Sequence, residues 1–158
     1  VYITQENVLN GKINHIDIGS DHRVYIVDCL ELVELPCWPN VTTINCVNCP
    51  DLLSLPNWPN IKQVWCENCS GLVTLPCWTN VTGVYCVLCP NLLIIPNWPN
   101  IKHVWCDGCT RLMYIPTWSR HVRVHFGLKN PSIPKNAALV VLQTDYLQSA
   151  FVPEFLNL

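Results

Sequence analysis

Residues 35–118 carry one phrase repeated at a strict interval. It reads V/I-x-x-V/I-x-Cys-x-x-Cys-x-x-Leu-x-x-L/I-Pro-x-Trp, and its copies begin at Val41, Ile61, Val81 and Ile101. Cys46, Cys66, Cys86 and Cys106 stand twenty residues apart, as do Cys49, Cys69, Cys89 and Cys109. Trp38, Trp58, Trp78, Trp98 and Trp118 keep the same interval. A period of this length marks a solenoid, because one unit is too small to bury its apolar face except against its neighbours.

Within each unit the V-x-x-V-x-C piece has the alternation of a short half-buried strand. The P-x-W-P segment cannot be helical, since proline lacks the amide donor and holds its predecessor extended. Each turn is therefore expected to be a strand, a corner and an extended or polyproline II return limb, with strands stacked in parallel about 4.8 Å apart. The fold class that follows is a β-rich solenoid over residues 21–126. Its first copy is degenerate: Val24, Ile26, Cys29 and Leu32 stand twenty before Ile44, Cys46, Cys49 and Leu52. Val122, Val124 and Phe126 suggest a last strand. The units also alternate over forty residues, Cys-Trp-Pro/Thr-Asn-Val-Thr with Asn-Trp-Pro-Asn-Ile-Lys, as a duplicated two-turn unit would.

The ends are expected to be caps. Asn10-Gly11, flanked by Val8-Leu9 and by Ile13, Ile16 and Ile18, predicts a β-hairpin over residues 1–20 that covers the first sheet edge. In 127–158, Asn136 can cap a helix with Leu139, Leu142, Tyr146, Ala150 and Phe151 on one face, ending near Pro153. That helix closes the last turn or, on a sharper reading, docks a partner.

The repeat resembles leucine-rich repeats. Val41, Ile44 and Cys46 stand at the strand leucines, Cys49 at the Asn/Cys position, Leu52 and Leu55 at the next apolar sites and Trp58 on the return limb. It is most similar to the short twenty-residue class of type III effectors of enteric bacteria, and similar repeats abound in giant viruses of amoebae. It departs from that class in its strand leucines, all replaced by Val, Ile or Cys, and in one residue missing between Pro39 and Val41. The resemblance implies an interaction protein and makes a viral source an expectation. Effector ligases of this kind carry catalysis in a separate helical domain, for which the about forty residues after Trp118 leave no room.

Two C-x-x-C pairs from adjacent turns would ordinarily signal zinc, so Cys46, Cys49, Cys66, Cys69, Cys86, Cys89, Cys106 and Cys109 are the alternative metal set, in a zinc-binding structural repeat. The outer turns argue otherwise: Ile26 and Phe126 occupy the first-Cys position and can only fill core. Disulfides between stacked equivalents are disfavoured, because in-register Cβ atoms stay near the strand spacing while a bridge wants about 3.8 Å. The eleven cysteines are expected to be reduced core thiols of an intracellular, cytoplasmic protein, with no metal and no cofactor. Asn40-Val-Thr and Asn80-Val-Thr match the glycosylation pattern, but Asn60 and Asn100 recur without the Thr and read as corner residues.

A net charge of −2 gives no electrostatic footprint for nucleic acid or an anionic membrane, and no apolar run reaches bilayer length. The first residue is Val, so an upstream piece could have been removed.

If Ile44 and Cys46 point inward, the residue between them points outward. That outward column reads Tyr25, Asn45, Trp65, Tyr85, Trp105 and His125. Beside it run Arg23, Thr43, Gln63, Gly83, His103 and Arg123, and on the other side Val27, Val47, Glu67, Val87 and Asp107. Aromatics with an Arg, His and acidic rim are the material of protein-binding hot spots. The candidate partner-binding residues are Arg23, Tyr25, Gln63, Trp65, Glu67, Tyr85, His103, Trp105, Asp107, Arg123 and His125. The bland alternative is that the rings merely pack on one another. No phosphate loop or nucleophile elbow occurs, and an inward Cys106 cannot pair with outward His103 or His125. The expected function is non-enzymatic binding of a protein through the concave aromatic face. Self-association through that face or a sheet edge is the runner-up, and stacking of a sugar or single-stranded nucleic acid a weaker third.

Overall fold

A computed structural model of the chain describes residues 1–20, 22–118 and 122–125, and the backbone of 139–142. Its architecture is a β-solenoid built on one parallel sheet of eight strands in chain order. The strands are β1 (Tyr2–Ile3), β2 (Arg23–Val27), β3 (Thr43–Val47), β4 (Gln63–Glu67), β5 (Gly83–Val87), β6 (His103–Trp105), β7 (Val122–His125) and β8 (Leu139–Leu142). From β2 to β7 every pairing joins residues twenty apart: Arg23 with Thr43, Ile44 with Val64, Trp65 with Tyr85, Val104 with Val124. The period read from the sequence is thus the register of the sheet.

Burial alternates along each strand as the β-branched residues require. Val24, Ile26, Ile44, Cys46, Val64, Val84, Cys86, Val104 and Val124 are fully buried. Across the core the return limbs insert Leu35, Leu55, Leu75 and Ile95, followed by the buried tryptophans. Trp58, Trp78 and Trp98 donate their indole N–H to Pro36, Pro56 and Pro76 oxygens of the preceding turn, at 3.0, 3.0 and 2.8 Å. A proline leaves its carbonyl available, and the indole of the next turn takes it, so limb and core are locked together. Asn60, Asn80 and Asn100 do the same at the corner, donating to Pro39, Pro59 and Thr79 oxygens.

After each strand the chain turns through one residue of positive φ: Asp28, Asn48, Asn68, Leu88 and Gly108. Asn and Asp tolerate this left-handed geometry. Their side chains also form a ladder, Asn68 Nδ2 to Asn48 Oδ1 (2.9 Å) and Asn48 Nδ2 to Asp28 Oδ1 (2.7 Å).

The N-terminal cap is not the expected hairpin. Residues 5–9 form a short helix, α1 (Gln5–Leu9), followed by a 3-10 turn at Lys12–His15. Asn7 Oδ1 accepts from both the amide and the hydroxyl of Thr4, at 2.9 and 3.0 Å, and this local capping outweighs the turn preference of Asn10-Gly11. The sheet edge is covered by β1, a parallel neighbour of β2, while Ile3, Ile13 and Ile18 are buried against the first turn.

At the other end, Leu139–Leu142 is a strand paired in parallel with Val122–His125, where the sequence pattern had pointed to helix. The sheet offers these four residues inter-strand partners that an isolated amphipathic helix would not supply. Phe126 and the rest of the expected helix lie outside the described residues. No helix among the described residues is long and apolar enough to cross a membrane.

Candidate functional site

From β2 to β7 the strands carry their odd-numbered residues to the outer face of the sheet, and the expected row is there. Tyr25, Asn45, Trp65, Tyr85, Trp105 and His125 are all half-buried, and the first five each stand between two buried residues. The rings are organised into stacked pairs. Trp65 and Tyr85 lie 3.7 Å apart between centroids at 6°, and Trp105 and His125 lie 4.0 Å apart at 8°. Between the pairs, Tyr85 and Trp105 stand 6.4 Å apart and tilted by 34°. A strand spacing of about 4.8 Å is too wide for tight stacking, so the rings lean together in twos and open a wider gap between.

Tyr2, which the twenty-residue pattern does not reach, extends the row from β1 by stacking on Tyr25 at 4.9 Å and 19°. The signal was present as a recurring Tyr-Ile dipeptide at residues 2–3 and 25–26. Asn45 interrupts the row between Tyr25 and Trp65.

The flanking columns divide. Arg23, Glu67 and Arg123 are exposed, and His103 is half-buried. Gln63 is tied down, its Nε2 donating to Thr82 Oγ1 at 2.9 Å, and it lies over the space a side chain at Gly83 would fill. Asp107 falls in the turn after β6, and its carbonyl accepts from the Leu88 amide at 2.7 Å as that of Val87 accepts from Asn68, so it keeps its place in the flanking column. Burial pushes the Tyr85 phenol up. Burial first, then the charges of His103 and Arg123, hold the His125 imidazole below its ordinary value.

The inner cysteines form two buried columns. Cys49, Cys69 and Cys89 each donate to a carbonyl two residues back, and Cys69, Cys89 and Cys109 also reach the carbonyls of Cys46, Cys66 and Cys86 in the preceding turn. This bonding ties each corner to the turn before it. Burial raises the Cys29 thiol to about 11. Contact with Cys66, then burial, holds Cys46 and Cys86 well up, while the same contacts and Cys69 pull Cys66 down. An ionised sulfur there would sit unsolvated in an apolar core, so we assign neutral thiols throughout. Among the described residues, no three His, Cys, Asp or Glu side chains converge to hold a metal ion. No protein-family model matches the chain, and no curated protein matches it.

Proposed function

We propose that the chain is a non-enzymatic interaction module of the leucine-rich-repeat kind, which binds a protein partner through the aromatic row and its charged rim. The observation that carries this reading is the fixed, half-exposed row itself, with Trp65 and Tyr85 stacked at 3.7 Å. Large rings whose rotamers are already held lose little entropy when a partner arrives. Arg23, Arg123 and Glu67 supply polar contacts at the margin.

The stacking also bears on the class of partner. Most ring faces are spent on one another, so the row offers ring edges, which suit side chains better than a flat base or sugar needing an open face. The break at Asn45 is the exception. Trp65 there looks across a gap of about two strand spacings, on the order of 10 Å, to Tyr25. One planar or aliphatic side chain of a partner fits between. The neutral core thiols suit work in a reducing compartment.

The test is affinity capture with the wild type and with Trp65→Ala/Trp105→Ala, after circular dichroism confirms that the variant folds. Loss of the same captured protein from the folded variant supports the reading. Retention of every captured protein overturns it.

A further inference from the structure

Across the core from the aromatic row, the return limbs form a second surface. Segments 33–40, 53–60, 73–80, 93–100 and 113–118 stack in register, tied by single backbone bonds such as Leu53 N–H to Val33 O and Leu93 N–H to Val73 O, both 3.1 Å. An Ile94–Tyr114 parallel bridge continues the contact. In those five segments Glu34 is the sole charged residue. Large apolar side chains are nevertheless left outside: Leu53 is 53% exposed, Met113 64% and Tyr114 54%. Depleted charge and exposed apolar bulk describe the core of an interface, not a face made for water.

We propose that this face docks a second copy of the chain, about a two-fold axis running along the stacking direction, so that each limb meets its own counterpart. Three features select that occupant. A face with one charge in five limbs offers little to a charged partner, and it meets itself with Glu34, on the outermost limb, as the single like-charge pair. Its ridges repeat at the strand spacing with a two-turn alternation, and a second copy presents the same spacing in the same phase. The area also suffices. Five limbs span about 24 Å along the stack and about 20 Å across it, on the order of 500 Å² per copy and 1,000 Å² in all, which meets the lower threshold for a biological interface. An axis laid across the stack at Asn57 would superpose only three limbs and fall short.

The exposed column Cys37, Asn57, Cys77, Asn97 and Thr117 then lies along the axis. Cys37 faces Cys37 of the other copy, and Cys77 faces Cys77. These two are the exposed thiols, and the other nine cysteines are buried. The aromatic row stays open on the far side, so the dimer is independent of the binding reading above.

Sedimentation gives the mass, and a short bismaleimide, which adds to two thiols without oxidation, gives the arrangement. The expected result is a dimer in which wild type, Cys37→Ser and Cys77→Ser all become linked and the double Ser variant stays dimeric but unlinked. Asn57→Lys, at an exposed position, then weakens dimerisation at least tenfold with its circular dichroism unchanged. A monomeric wild type overturns the proposal. So does a link that each single variant loses and their mixture regains, or one that only Cys77 supports, since either sets the stacks antiparallel. A dimer that Trp65→Ala dissociates places the interface on the aromatic row and overturns it as well.

Discussion

Trp65 and Tyr85 face each other across β4 and β5 with ring centroids 3.7 Å apart and planes within 6°, closer than the strands that carry them. The contact is therefore an attraction that bends the rotamers inward and not a by-product of register. A double-mutant cycle with Trp65→Ala and Tyr85→Ala should give a coupling energy of about 0.5–1.5 kcal/mol by urea denaturation. The same cycle on Tyr85 and Trp105, tilted and 6.4 Å apart, should give a smaller one.

Leu88 interrupts the corner ladder. It adopts φ 55° and is 53% exposed, where Asp28, Asn48 and Asn68 occupy the same corner with side chains that bond along the stack. A γ-branched side chain in the left-handed region carries strain of roughly 1–2 kcal/mol that Asn largely escapes. Leu88→Asn should raise stability by about 1 kcal/mol, and its amide should extend the ladder from Asn68. An unchanged urea midpoint would show that Leu88 is held there by packing on Gly108, where an added Cβ would meet Leu88 Cδ2.

The repeats were legible because a period of twenty leaves each residue no alternative neighbour: Cys46 must lie beside Cys66, and Tyr25, Trp65 and Tyr85 must share a face. The caps obey no such rule. Asn10-Gly11 reads as a hairpin turn until Asn7 is seen to cap Thr4, a contact that the spacing of apolar residues does not encode. Leu139 and Leu142 fit a helical stripe equally well, and the free edge of β7 decides for strand. Leu53 was hidden for another reason. It follows the core Leu52 directly and reads as half of an apolar doublet, although its own column, Val33, Leu53, Val73, Leu93 and Met113, keeps the period as faithfully as the cysteines do.

The core tryptophans are chemically alike but not equally satisfied. Trp78 is fully buried and its Nε1–H reaches Pro56 O at 3.0 Å, whereas the buried Nε1 of Trp38 has no partner among the described residues. Trp78→Phe removes volume and one of the two donors on Pro56 O, which keeps the Trp58 amide, while Trp38→Phe removes volume and relieves an unpaired donor. The first should cost about 1 kcal/mol or more beyond the second in paired chemical denaturation curves.

His125 makes stability depend on pH. Burial, His103 and Arg123 place its folded pKa below the ordinary value, so the unfolded chain takes the proton first as pH falls. The stabilising contribution is complete above the ordinary histidine range, near 6.5, and is lost as pH drops through it. The Tm should therefore fall between pH 7.5 and 5.5, and His125→Gln should show a smaller fall. Equal falls would show that the dependence does not come from His125.

The two cysteine columns should answer differently to the same substitution. Cys66 occupies a slot that Ile26 fills in the first turn, so Cys66→Val keeps an apolar side chain of similar volume and should cost less than about 1.5 kcal/mol. Cys69 donates to the carbonyls of Cys46 and Glu67, both at 3.5 Å. Cys69→Val leaves those oxygens with one donor fewer, and should cost roughly 1 kcal/mol more than the Cys66 change. Because neither column is assigned a metal, thermal unfolding should be unaffected by a zinc chelator such as 1,10-phenanthroline. A chelator-dependent fall in Tm, or zinc in the native mass, would make these sulfurs ligands and overturn both estimates.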